Sequence, residues 1–148
     1  MNEIKIYDKI TKPTADEKSD IIDFLFQHLE NFGDKKEDIE KAINYALKET
    51  ISFGGFILQG FHNGKMAGAV VVNKTGMNGY IPENILVYIA THKDLRGIGI
   101  GKKLMLKAIE TAEGDVALHC EPDNPARFLY EKIGFTNKYL EMRYITKK

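Results

Sequence analysis

The sequence holds a single cysteine, Cys120, so no internal disulfide can form. It has no excess of either charge: Lys plus Arg and Asp plus Glu stand at 21 each. No overall field therefore recruits nucleic acid or an anionic membrane surface. No stretch approaches the roughly 20 apolar residues of a membrane span. The opening residues, Met1-Asn2-Glu3-Ile4-Lys5, lack the apolar run of a signal peptide. With the lone thiol, these absences predict a cytoplasmic location without membrane or nucleic-acid partners. The four histidines, His28, His62, His92 and His119, are scattered without ligand spacing, so no metal site is expected. Repeats and low-complexity segments are missing too.

What is there suits one domain over residues 1–148: 43% hydrophobic and 28% charged residues are ordinary for a globular chain with one core. Ile4 and Ile6 alternate with charged residues in a first strand. Thr14 with Glu17 is a capping-box signal, followed by an apolar stripe of Ile21, Phe24, Leu25, Leu29 and Phe32 that Gly33 closes. Asp34 and Glu37 repeat the start signal ahead of a second stripe, Ile39, Ala42, Ile43, Ala46 and Leu47. Asn63-Gly64 between two β-rich runs, 53–62 and 65–73, predicts a hairpin. Residues 74–84 carry Gly76, Gly79 and Pro82 without periodicity and read as a loop. A strand at 85–91, a glycine-rich turn and a helix through Ala112 follow. After them come a strand at 115–120, a helix that Pro125 opens and Gly134 ends, and an alternating segment, 139–145, expected as closing strand. The order gives a mixed α/β fold.

The glycine-rich turn is the chemical centre. Glycines let the backbone approach a ligand, and the helix behind them aims unpaired N–H groups and a positive dipole end at it. That describes an anion site, most simply for a pyrophosphate. A Walker A loop fails on spacing, because Gly97 to Gly101 is one residue short and Lys103, not Ser or Thr, follows Lys102. The dinucleotide fingerprint fails as well, because Gly97, Gly99 and Gly101 alternate strictly. The pattern Arg/Gln-x-x-Gly-x-Gly/Ala fits, through Arg96, Gly99 and Gly101. It resembles the acetyl-CoA pyrophosphate loop of the GNAT superfamily of N-acetyltransferases. A second block, from Asn124 and Pro125 through Leu129-Tyr130-Glu131-Lys132 to Gly134-Phe135, is similar to that family's next segment.

The resemblance implies a mostly antiparallel sheet, splayed at the cofactor site and flanked by helices on both faces. It implies transfer of an acetyl group from acetyl-CoA to a primary amine, either a small molecule or a peptide N-terminus; a GNAT-fold module that binds CoA without turnover is the alternative. By resemblance the pantetheine arm meets the backbone of Ile89, Ala90 and Thr91. The pyrophosphate meets Gly97, Ile98, Gly99, Ile100, Gly101 and Lys102, with charge from Arg96 and Lys102. Tyr130 matches the family's general acid, and a phenol with an ordinary pKa of about 10 suits a thiolate leaving group. Asn124 either bonds the pantetheine or caps its helix. His119, on the strand, and Glu83 compete for the role of general base beside a relay through water. Phe26, Asn31 and Phe32 are candidates for the acceptor pocket. Cys120 reads as a small buried residue, because neighbours on a strand point apart and His119 cannot simply activate it. Tyr139, Met142 and Tyr144 are candidates for a homodimer in which terminal strands meet.

Overall fold

A computed structural model describes residues 1–147. They form two compact units, Met1–Leu118 and His119 onward, and each is taken by itself.

The first unit is a five-stranded sheet in the order β1-β2-β3-β4-β5. Its strands are β1 (Glu3–Tyr7), β2 (Gly55–His62), β3 (Lys65–Lys74), β4 (Asn84–Thr91) and β5 (Val116–Leu118). The Asn63-Gly64 turn joins β2 to β3 as expected, and every pairing is antiparallel except β4 with β5. The helices are α1 (Ala15–His28), α2 (Lys36–Ala46) and α3 (Ile100–Thr111). Thr14 caps α1 through a complete capping box: the Glu17 N–H donates to the Thr14 hydroxyl at 3.1 Å, and the Glu17 carboxylate accepts from the Thr14 N–H at 2.8 Å. Residue Asp34 does not cap α2. Its N-cap is Lys35, without a side-chain bond.

Two apolar layers sandwich the sheet. Ile21, Phe24 and Leu25 of α1 and Ile39 and Ile43 of α2 bury against Ile57, Ala69, Val71, Tyr88 and Ala90. On the opposite face, Leu104 of α3 sits over Gly60 and Gly68, which pair across β2 and β3. A Cβ on Gly68 would lie 2.3 Å from Leu104 Cδ1, so the absent side chain is what lets α3 approach.

A β-bulge changes what β4 presents. Tyr88 pairs with Val71 but Leu86 pairs with Val72, leaving Val87 as an extra residue. Leu86 and Tyr88 are therefore both buried, on opposite faces of the sheet. Strand β5 is short and pairs only with Asn84, Ile85 and Leu86, so residues 87–91 run on with no β5 partner.

The second unit contains α4 (Ala126–Ile133), which Gly134 ends with φ 127°. Residues 139–145 form no strand, contrary to the alternation; Tyr139, Leu140, Met142, Tyr144 and Ile145 are exposed. A period-two pattern makes a strand only where a neighbour takes its backbone hydrogen bonds, and none pairs with this segment among the described residues.

Candidate active site

Strand β4 feeds a short connection into α3. His92 opens a 3-10 turn, Lys93–Leu95, its Nδ1 accepting from the Asp94 N–H at 3.1 Å. Arg96 through Gly99 are then exposed. Gly97 and Gly99 hold left-handed backbone, φ 84° and 86°, in open surroundings: a Cβ at either would meet nothing within 4 Å. Their conformation, not crowding, demands glycine.

Gly99 is the N-cap of α3 and has no side chain to offer, so the N–H groups of Ile100, Gly101 and Lys102 receive no cap. The first turns of α1 and α2 each carry two acidic residues, Asp16 with Glu17 and Glu37 with Asp38. The first turn of α3 carries none and has Lys102 and Lys103 instead. A helix stabilised for its own sake would place the opposite charge there. Unpaired donors, a positive dipole end and two ammonium groups fit a di-anionic phosphate chain in the open space above the glycines. The pyrophosphate of acetyl-CoA fits these residues.

Arg96, exposed at the head of the loop, makes contacts of its own within the protein. Its Nη2 donates to the His28 carbonyl at 3.0 Å, and its Nη1 lies 3.2 Å from Glu30 Oε1. It ties the loop to the end of α1.

Glu83 spends its carboxylate on backbone donors, accepting from the Asp115 N–H at 2.7 Å and the Gly79 N–H at 3.1 Å. Those bonds hold its pKa below the ordinary value, which makes it a poor proton acceptor and a brace for the 75–83 loop.

Between α1 and α2, Phe26 is exposed with the Lys36 ammonium 5.2 Å from its ring centre. Asn31 is exposed and Phe32 half-buried in the 3-10 turn Glu30–Phe32. Sequence reasoning missed a pair here. The Tyr88 hydroxyl, on the α1/α2 face of β4, donates to Asp34 Oδ2 at 2.6 Å, and Asp34 is exposed. Burial, then the Asp34 carboxylate, push the Tyr88 phenol well above its usual pKa, so it remains a donor. Asp34 read as a cap because its spacing to Glu37 mimics one; only the register set by the Val87 bulge brings Tyr88 under it.

In the second unit, β5 has ended before His119, which is exposed and off the strand. Cys120 is half-buried, its thiol donating to the Glu121 carbonyl at 3.5 Å and pushed up in pKa by burial. The Asn124 side-chain oxygen accepts from the Ala126 N–H at 2.9 Å, just ahead of α4, whose N-cap is Pro125. Tyr130 is buried, its ring edge-on to Phe135 at 6.1 Å. Burial, with the Cys120 thiol adding to it, raises its pKa to about 12.

The model of the GNAT acetyltransferase family matches residues 20–135, which spans both units. The chain belongs to the GNAT acetyltransferase family. Solved GNAT-fold structures agree over essentially the whole length. A ribosomal-protein-alanine N-acetyltransferase from Brucella melitensis biovar Abortus 2308 superposes with a TM-score of 0.66 at 18% identity, covering 99% of each chain. An aminoglycoside 6'-N-acetyltransferase from Acinetobacter haemolyticus gives 0.66 at 15% identity, with 99% of this chain and 98% of that one covered. A transcriptional regulator from Bacillus halodurans C-125 gives 0.69 at 17%, covering 97% of this chain and 100% of the other. At these identities the likeness establishes the fold alone. No curated protein sequence is a significant match. Among the described residues there is no helix long and apolar enough to cross a membrane and no group of residues that could hold a metal ion.

Proposed function

We propose that this chain is an N-acetyltransferase that moves an acetyl group from acetyl-CoA to a primary amine by direct attack, with both substrates bound. The observation that carries the reading is the N-terminus of α3: uncapped, free of acidic residues, bearing Lys102 and Lys103, and set behind two left-handed glycines at the end of a strand whose last residues have no β5 partner.

When bound, acetyl-CoA supplies an acetyl group on a thioester, an acyl donor toward amines. The amides of Gly97 to Lys102 would hold its pyrophosphate, and the backbone of Ile89, Ala90 and Thr91 would hold the pantetheine arm and polarise the carbonyl. Asp34, kept in place by Tyr88, offers an arriving ammonium a carboxylate, which favours a cationic acceptor. The amine must lose a proton before it attacks. Glu83 is engaged elsewhere, so exposed His119 or water is left to take that proton. Tyr130 would hold the proton for the departing sulfur. A phenol at about 12 is fully protonated at working pH, as a donor must be, though it yields the proton less readily than an ordinary tyrosine.

The test is release of free CoA thiol on adding acetyl-CoA with a panel of N-terminal peptides and polyamines. Turnover with any of them supports the reading. Saturable acetyl-CoA binding without turnover across the panel would favour the non-catalytic CoA-binding module.

A further inference from the structure

At the connection between β4 and α3 lies a stacked pair of imidazoles, His28 buried and His92 half-buried, that the proposed chemistry does not use. His28 is the last residue of α1 and only 4% exposed. Its Nδ1 accepts the Lys93 N–H at 3.2 Å, and its ring centre lies 4.2 Å from that of His92 and 4.5 Å from that of Phe24. His92 accepts the Asp94 N–H through its own Nδ1. The His28 ring thus uses as acceptor the nitrogen that a second proton would occupy, so its bond to Lys93 requires the neutral form with the proton on Nε2. Around them, Arg96 bonds the His28 carbonyl and pairs with Glu30, whose backbone is left-handed at φ 55°. The Lys93–His28, Arg96–His28 and Arg96–Glu30 contacts tie the end of α1 and the turn after it to the connection between β4 and α3.

We propose that His28, stacked on His92, is a positioning residue for the anion-binding loop, holding it in its binding form only while the His28 ring is neutral, so that acidification loosens acetyl-CoA. A proton on His28 Nδ1 would set two donors face to face across the Lys93 bond and put a cation beside His92, Arg96 and Lys93. Only Asp94 and Glu30 oppose them. Burial, then the charges of His92, Arg96 and Lys93, hold the His28 pKa below the ordinary histidine range, against a smaller opposing effect of Asp94. The neutral form therefore stabilises the folded protein above pH about 6.5, and that contribution is lost as pH falls toward the lower folded value.

The inference rests on reading the loop as the acetyl-CoA site, and its test separates the two. Acetyl-CoA affinity is measured from about pH 7.5 to pH 5 for the wild type, His28→Asn and His28→Phe. The amide resonances of Lys93, Gly97 and Gly99 are followed over the same range in the ligand-free wild type. Asn keeps an acceptor near the Nδ1 position, whereas Phe keeps the ring contacts without one. Titration of the ligand's own phosphate is common to all three proteins and cancels in the comparison. The wild type is expected to lose about five- to tenfold in affinity on acidification, the worth of one anchoring hydrogen bond. The loop amides should move with the same midpoint. His28→Asn should bind as the wild type does at neutral pH without the additional acid loss, and His28→Phe should bind weakly throughout. Equal affinity and an equal acid loss in His28→Phe would overturn the proposal while leaving the acetyl-CoA site intact. Loop amides that titrate in a protein that binds no acetyl-CoA would support the positioning role and overturn the site.

Discussion

Replacing Gly68 by alanine tests how α3 is seated, and with it the position of the loop at its N-terminus. The added methyl would lie 2.3 Å from Leu104 Cδ1 and 3.0 Å from the Ala90 carbonyl oxygen. Neither is a loose end: Leu104 is fully buried on α3, and Ala90 is backbone of β4. Overpacking of this kind costs about 1–3 kcal/mol, offset in part by up to about 1 kcal/mol from the stiffer unfolded chain. A net loss of about 1–2 kcal/mol in a chain of this size lowers Tm by about 2–8 °C. Gly60→Ala should cost less, because the nearest atom is the Met1 Sδ at 2.6 Å, the far end of a flexible side chain, and Leu104 Cδ2 stands at 3.3 Å. The decisive comparison is a double-mutant cycle by thermal denaturation. Leu104→Ala alone should cost about 2–5 kcal/mol. In that background the Gly68→Ala methyl partly fills the vacated space, so its penalty should shrink by at least about 0.5 kcal/mol. Strict additivity would refute the claim that Gly68 exists to admit Leu104, and a Gly60→Ala penalty as large as that of Gly68→Ala would refute the claim that the Met1 side chain can give way.

Other perturbations separate the roles of the remaining residues. Tyr130→Phe should lower kcat by about 100-fold with acetyl-CoA affinity unchanged; undiminished turnover would retire the general-acid role. Asp34→Asn keeps an acceptor for the Tyr88 hydroxyl but removes the charge, and should raise KM for a cationic amine about three- to tenfold without a matching fall in kcat; an unchanged KM would remove Asp34 from the acceptor site. For Glu83, whose folded pKa is depressed, the stabilising contribution is present above its ordinary pKa of about 4.3 and fades as pH drops through the lower folded value. Glu83→Gln should therefore lower Tm at neutral pH, with the gap to wild type closing in acid; a constant gap would contradict the carboxylate's part.

The hairpin, the capping box at Thr14 and the glycine loop were legible because each is local: a few neighbouring residues set the backbone, and no distant partner is needed. Asp34 misled for the opposite reason. Its spacing suits a helix cap, yet Tyr88 claims it from elsewhere in the chain. The face that Tyr88 occupies depends on the bulge at Val87, which no period-two count of β4 reveals. The alternation at 139–145 promised a strand, but a strand is made by its neighbour as much as by its own residues. The His28 and His92 pair was invisible because the two residues lie far apart in sequence, and only the packing of α1 against the end of β4 stacks their rings.

The central claim is that the N-terminus of α3 is built for an anion at the expense of the helix. Calorimetric titration of acetyl-CoA into the wild type and into Lys102→Glu/Lys103→Glu tests it most directly, with Tm measured alongside. Acidic residues in the first turn suit a helix dipole by about 0.3–1 kcal/mol each, so the account predicts a Tm equal to or above wild type. It also predicts micromolar binding in the wild type, weakened at least about tenfold in the variant. Equal affinity in the two proteins, or no binding in either, would contradict it.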